Sequence, residues 1–195
     1  MPRTWDRPLG LAVNVQPRPH RILGIDPGLN TTGYGVLKFA NGKLHLCEAG
    51  VVRGRARGSL TGRLHQIYDG VAEVIESLHP DVMALEELYS HYGRPRTALL
   101  MAHARGVVLL GAAQRNIHVL NIPSTTVKRH LTGNGRAGKE QVQKAVSAHL
   151  ELPYLPHPAD VSDALAVAIC AAAMLRQPAR LAMTNDDLLS PRGAR

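Results

Sequence analysis

Three short apolar runs follow one another from residue 22 onward, at residues 22–26, 33–39 and 43–52. The first two are joined by Pro27-Gly28-Leu29-Asn30, whose composition is that of a turn. Asn41-Gly42, a dipeptide that favours tight hairpins, separates the second run from the third. The pattern therefore predicts three consecutive antiparallel strands.

Helical and extended patterns alternate along the rest of the chain. Apolar residues recur at helical spacing between Leu60 and Leu78, just before Pro80. Short apolar runs at residues 82–86 and 118–122 predict two more strands. Further helices are predicted at about residues 97–114, from Ser124 as N-cap, at 139–150 and at 160–175. This order predicts an α/β fold in which a mixed five-stranded sheet is flanked by helices.

The two ends of the chain lack this periodicity. Residues 1–20 contain four prolines and scattered arginines, so we expect a disordered N-terminal extension. Residues 21–175 are predicted to form one domain, which suits a chain of 195 residues, and residues 176–195 are predicted to be a flexible basic tail. Candidate functional residues are therefore sought mainly within the central domain.

The charge of the protein favours a polyanionic partner. Its formal net charge is +8 and its sequence pI is about 10, although a basic surface that serves only solubility is the alternative. No run approaches about 18 apolar residues, so we expect a cytoplasmic protein without a membrane span. The two cysteines, Cys47 and Cys170, are predicted to be buried thiols in a reducing compartment.

Two acidic residues stand at the ends of predicted strands. Asp26 ends the first strand and precedes Pro27-Gly28, a place where an aspartate often serves only the turn. Glu86 ends the apolar run 82–86, and open α/β sheets bind ligands at such strand ends. The alternative for Glu86 is the first solvated position after a buried strand.

Asp160 and Asp163 lie three residues apart at the predicted start of the last helix, so they share a face. Either could instead be a helix cap. Because the apolar face of this helix begins at once, we expect at least one of them to face the sheet, where like charges repel unless a cation intervenes. Carboxylate oxygens suit Mg²⁺ or Mn²⁺, and two such ions about 4 Å apart support phosphodiester hydrolysis. The ten histidines lack the spacing of a zinc site.

Three segments together resemble the RuvC-type Holliday-junction resolvases: residues 22–36, 84–89 and 158–166. The resemblance implies a ribonuclease-H-like fold, a homodimer and paired nicks across a four-way DNA junction, with delivery by a branch-migration helicase complex as a further possible partner. It also implies that Asp26, Glu86, Asp160 and Asp163 hold metal, with two Mg²⁺ or Mn²⁺ ions per site. The small-residue segment 98–111 matches the region that the family uses for dimerisation.

Basic and aromatic residues supply candidate DNA contacts. Lys128 and Lys139 match positions where the family places lysines near the scissile phosphate, and Tyr89 matches an aromatic residue that contacts junction bases, with Tyr92 close by. Arginines that could extend this surface are Arg53, Arg55, Arg57, Arg129 and Arg136. The alternative for each cation is ordinary surface solvation.

Other functions remain open from the sequence. Residues 133–139 fit the first part of a nucleotide-binding P-loop, but Glu140 stands where that loop needs Ser or Thr. Asp26-Pro27-Gly28 also resembles the phosphate loop of actin-like phosphotransferases, which normally need a second lobe. A DNA-binding protein that keeps the fold and charge without catalysis is the remaining alternative.

Overall fold

The computed structural model describes residues 21–54, 58–87 and 95–176. In these residues five strands form one sheet in the order β3-β2-β1-β4-β5. The strands are β1 (Arg21–Asp26), β2 (Thr31–Ala40), β3 (Lys43–Arg53), β4 (Val82–Glu86) and β5 (His118–Ile122). Strands β1 to β3 pair antiparallel, whereas β4 pairs parallel with both β1 and β5. The mixed five-stranded sheet of the sequence prediction is confirmed.

Helices cover both faces of this sheet. They are α1 (Leu60–Leu78), α2 (Pro95–Gln114), α3 (Ser124–Thr132), α4 (Lys139–His149) and α5 (Ala159–Leu175). One buried cluster joins the sheet to α3, α4 and α5, and a second joins its opposite face to α1 and α2. Because α5 lies between sheet and helices, almost all of its side chains from Val161 to Ala172 are buried.

Two glycines let α5 lie directly against the antiparallel strands. A Cβ on Gly24 would stand 2.1 Å from the backbone oxygen of Ala164, and one on Gly33 would stand 2.0 Å from that of Asp160. Real Cβ atoms cannot approach backbone so closely, so only glycine permits this packing distance. These two contacts fix the first two turns of α5 against the paired strands β1 and β2.

Two local predictions are wrong. Ser124 is not the N-cap of α3: it is the first helical residue, and Pro123 occupies the cap position without a side-chain hydrogen bond. Cys47 is exposed, because β3 is an edge strand and Cys47 is its unpaired residue where the register with β2 shifts, whereas Cys170 is buried in α5 as expected. The glycine-rich segment 133–138 connects α3 to α4 and so follows a helix, unlike a P-loop.

Helix α2 has apolar residues on both its buried side and its exposed side. Ala104, Val108 and Ala112 are fully buried in the core, while Leu99 and Leu110 are 64% and 51% exposed. By length and composition alone, Arg96–Gln114 is apolar enough to cross a membrane, a test that core helices of soluble proteins also pass. The exposed side therefore presents an uncovered apolar surface.

Candidate active site

Asp26 and Glu86 stand side by side because β1 and β4 are parallel neighbours. Ile25 pairs with Leu85, so the next residue of each strand, Asp26 and Glu86, ends the pair at the same edge of the sheet. This is the edge at which open α/β sheets place ligands. The two strand ends that carry Asp26 and Glu86 in the sequence are therefore neighbours in the structure.

The first two turns of α5 bring the other two acids to this edge in unequal ways. Asp163 lines a cavity of about 250 Å³ together with Asp26 and Glu86, whereas Asp160 is not among the lining residues. Asp160 lies with its main chain over Gly33, the β2 partner of Asp26. Neither aspartate is the N-cap, which is Pro158. Three acids from three separate elements thus share one cavity, with Asp160 beside it.

The other residues of the cavity wall are cationic, polar or apolar. Lys128 comes from α3, Lys139 begins α4, and Ser124 follows the end of β5. Apolar side chains complete the wall: Met101, Val127, Val142 and Ala166. Nζ of Lys139 is 3.9 Å from Oδ2 of Asp163, and the lysine is 80% exposed. The cavity therefore combines a dense group of acids with two lysines.

Burial and mutual repulsion raise the proton affinity of these acids. Burial, followed by the charges of Asp163, Glu86 and Asp160, raises the pKa of Asp26 from 3.8 to about 7, and Lys139 opposes the shift. Burial likewise raises the pKa of Glu86, with Asp163 adding to the effect. The cavity thus holds more negative charge than its lysines compensate.

Asp163 follows the same pattern. Burial raises its pKa, Asp160 adds to the rise, and Lys139 and Lys128 oppose it. Proton uptake is one way to relieve such repulsion. Cation binding is the other.

The donor set of the cavity fits a hard divalent cation. Oxygen ligands from carboxylates are those that Mg²⁺ and Mn²⁺ prefer. Within residues 21–54, 58–87 and 95–176, no three acidic, histidine or cysteine side chains already converge on one metal-binding point. The acids are therefore gathered around one cavity, and their side chains would still have to draw together around an ion.

The candidate DNA contacts are only partly within the described residues. Lys128 and Lys139 line the cavity. Arg129 and Arg136 are exposed on α3 and on the loop that follows it, and exposed Arg53 ends β3 opposite Thr31, at the same edge of the sheet as Asp26. Arg55, Arg57 and Tyr89, with Tyr92, lie outside the described residues.

Ser124 is the residue whose role at the site the sequence reasoning missed. Its side chain forms a hydrogen bond with Glu86, and this bond opposes the rise in the pKa of that acid. Ser124 follows β5 after a single proline, and β5 is the parallel neighbour of β4. The strand-end argument used for Glu86 would have found it, had it been applied to the next strand.

Comparison with known proteins agrees with this architecture. The family model of RuvC, crossover junction endodeoxyribonuclease, matches residues 22–171. A crossover junction endodeoxyribonuclease RuvC from Rhodopirellula baltica is 50% identical over 157 residues, which are 80% of this chain and 88% of the relative.

Two solved structures of RuvC from Thermus thermophilus are also similar. The first is 31% identical with a TM-score of 0.73, covering 81% of this chain and 96% of the other. The second, described as a complex with Holliday junction substrate, is 30% identical with a TM-score of 0.75, covering 85% and 98%. The similarity thus spans sequence and fold over the same central region.

Proposed function

Because this chain belongs to the RuvC family of crossover junction endodeoxyribonucleases, it is a junction-resolving endonuclease of DNA recombination with a ribonuclease-H-like fold, and we propose which residues cleave the DNA. Asp26, Glu86 and Asp163, assisted by Asp160, hold divalent cations against the scissile phosphate of a four-way junction. The observation that carries this proposal is the single cavity that the first three acids line with Lys128 and Lys139.

The residues of the cavity divide the work of phosphodiester hydrolysis. Bound cations would activate water and stabilise the leaving oxygen. Lys128 and Lys139 bind phosphate oxygens, which neutralises charge without reading the base sequence. Ser124 orients the Glu86 carboxylate through its hydrogen bond. The exposed Arg53, Arg129 and Arg136, and Arg55, Arg57 and Tyr89 beyond the described residues, extend the DNA surface as predicted from the sequence.

We propose two Mg²⁺ or Mn²⁺ ions for each active site. The acids supply only oxygen ligands, and histidine and cysteine, which zinc prefers, are absent from the cavity wall among the described residues. Asp160, beside rather than within the cavity wall, provides a fourth carboxylate. Four carboxylates shared by two ions leave positions for water and phosphate oxygens, as hydrolysis requires.

The protein is proposed to act as a homodimer through α2. Apolar or small residues recur at intervals of three or four on its exposed side, which also carries His103: Leu99, Ala102, Gly106, Leu110 and Ala113. A Cβ on Gly106 would meet nothing within 4 Å, so this side is open in the monomer. Such a surface suits the close packing of a second helix, and paired nicks require two active sites.

The remaining partners and boundaries stay predictions. We propose a soluble protein that meets its junction in the cytoplasm, with a branch-migration helicase complex as a possible source of the junction. The predicted extension at residues 1–20 lies outside the described residues, as does nearly all of the predicted tail at 176–195. The family match leaves the phosphotransferase alternative without support, and the carboxylate cavity argues against a purely binding role.

The test is cleavage of a synthetic four-way junction, with products mapped on all four strands. The wild-type protein should make paired, symmetric nicks in Mg²⁺ or Mn²⁺ and none in chelator. Asp26→Asn should bind the junction without cutting it, and Asp69→Asn, at an exposed acid on α1, should cut normally. Binding without cleavage by the wild-type protein in every divalent cation would favour the non-catalytic alternative.

A further inference from the structure

Arg105 reaches from α2 to Glu86, the last residue of β4 and a residue of the proposed metal site. Its Nη1 donates a hydrogen bond of 2.6 Å to the backbone oxygen of Glu86. Its Nη2 donates to Oδ1 of Asn121 on β5. One guanidinium group therefore joins the last residue of β4 to the neighbouring strand.

This contact falls where the strand ladder ends. The backbone N–H of Glu87, one residue beyond the end of β4, donates to the oxygen of Ile122 at 2.9 Å. The Glu86–Glu87 peptide is thus held on one side by β5 and on the other by Arg105. Without Arg105, the Glu86 carbonyl loses its side-chain donor at the last rung of the sheet.

The guanidinium acts on the main chain of Glu86 rather than on its carboxylate. The charges that shift the pKa of Glu86 are those of Asp163, Lys128 and Lys139. Burial lowers the pKa of Arg105, and the charge of Glu87 opposes that shift. Arg105 is therefore suited to fixing the position of Glu86 and not to neutralising it.

We propose that Arg105 is a positioning residue that holds the backbone of Glu86 so that its carboxylate faces the cavity. The inference rests on the proposed metal-binding role of Glu86. Two N–H groups in the fixed geometry of a guanidinium bridge the Glu86 carbonyl and the Asn121 amide, which the single ammonium of lysine cannot do in the same way. Groups that orient metal ligands typically contribute about 10-fold to 100-fold to metal affinity.

The first test measures the metal-free protein. Arg105→Lys should raise the hydrogen-exchange rate of the Glu87 amide by about tenfold, because the bond to Ile122 opens more readily when Glu86 is released. Arg115→Lys is the matched control: Arg115 directly follows α2, and its guanidinium likewise bridges a backbone oxygen, that of Gly111, and a side chain, that of Glu76. That variant should leave the exchange of Glu87 unchanged.

The second test is the Mg²⁺ dependence of junction cleavage. Arg105→Lys should raise the Mg²⁺ concentration for half-maximal cleavage by about tenfold while leaving junction binding in chelator unchanged. Asn121→Ala removes one acceptor and keeps the guanidinium, so it should also raise the exchange rate of Glu87 and the Mg²⁺ concentration for half-maximal cleavage. This variant keeps the proposal testable if the arginine variant does not fold.

The outcomes separate the two proposals. Unchanged exchange and unchanged Mg²⁺ dependence in folded Arg105→Lys would overturn the positioning role, as would equal shifts in Arg115→Lys. If the wild-type protein shows no Mg²⁺-dependent or Mn²⁺-dependent cleavage, the proposed function fails, while the exchange rates still decide whether Arg105 holds the end of β4.

Discussion

Replacing Asp26 with asparagine should make the metal-free protein more stable at the same time as it abolishes cleavage. Burial, with the charges of Asp163, Glu86 and Asp160, raises the pKa of Asp26 from 3.8 to about 7. A folded-state pKa above the unfolded value means that the folded protein holds a proton that the unfolded chain has already released. The resulting stability is fully present below about pH 4 and is lost as the pH rises through about 7.

The size of the stability gain follows from the difference between the ordinary pKa of Asp26 and its pKa in the folded protein. From 3.8 to about 7 is about 3 pKa units, and each unit corresponds to about 1.4 kcal/mol, so ionised Asp26 costs the folded state at most about 4 kcal/mol at pH 8. Neighbouring acids can lower this free-energy cost by binding a proton themselves. We therefore expect Asp26→Asn, which keeps the shape and cannot ionise, to add about 1 to 3 kcal/mol to the unfolding free energy.

Urea unfolding in chelator at pH 4 and pH 8 measures this directly. The gain from Asp26→Asn should be small at pH 4 and large at pH 8, and Mg²⁺ should reduce it by stabilising the wild-type protein alone. Asp69→Asn, at an acid that is 57% exposed, should show neither dependence. A variant that is no more stable than the wild-type protein at pH 8 in chelator would refute the electrostatic reasoning.

Three further predictions concern packing, DNA binding and assembly. Gly33→Ala should destabilise the protein by about 1 to 3 kcal/mol in urea and slow cleavage, because the added Cβ meets the backbone of α5. Gly111→Ala, where a Cβ inside a helix makes only an ordinary contact of 3.8 Å with Tyr68, should do neither. Lys139→Ala should weaken junction binding and lower the slope of log affinity against log salt concentration by about one, because one phosphate contact is lost. Lys43→Ala, outside the cavity wall, should change neither quantity. Leu110→Glu should raise the dimer dissociation constant at least about tenfold in sedimentation, and an unchanged constant would exclude α2 as the interface.

The order of elements could be predicted from the sequence because its signals are local. Asn41 and Gly42 adopt positive φ angles of 51° and 80° at the β2–β3 turn, as the dipeptide indicates. The closeness of α5 to β1 could not be predicted in the same way. It depends on Gly24 and Gly33 lying opposite particular backbone atoms of α5, which are far away in the sequence.

The candidate site shows the same division between local and long-range information. Strand-end position alone brings Asp26 and Glu86 to one edge of the sheet. The unequal placement of Asp160 and Asp163 depends on the rotation of α5 about its axis, which their spacing of three residues leaves undetermined. Ser124 looked like a cap because the sequence shows its neighbours along the chain and not the carboxylate that approaches it from β4.

Lys128 and Lys139 offset part of the negative charge of the acids in the cavity. Both oppose the rise in the pKa of Glu86 and of Asp163, so they supply part of the positive charge that a cation would bring. Lys139 is nevertheless mostly exposed and 3.9 Å from its acid, a distance at which the ion pair is weak and the ammonium remains available to another anion. If the acids bind cations as proposed, they would need these lysines less, and both ammonium groups would be available to the phosphate. The same charges would then offset the acids in the metal-free protein and hold the substrate in the complex.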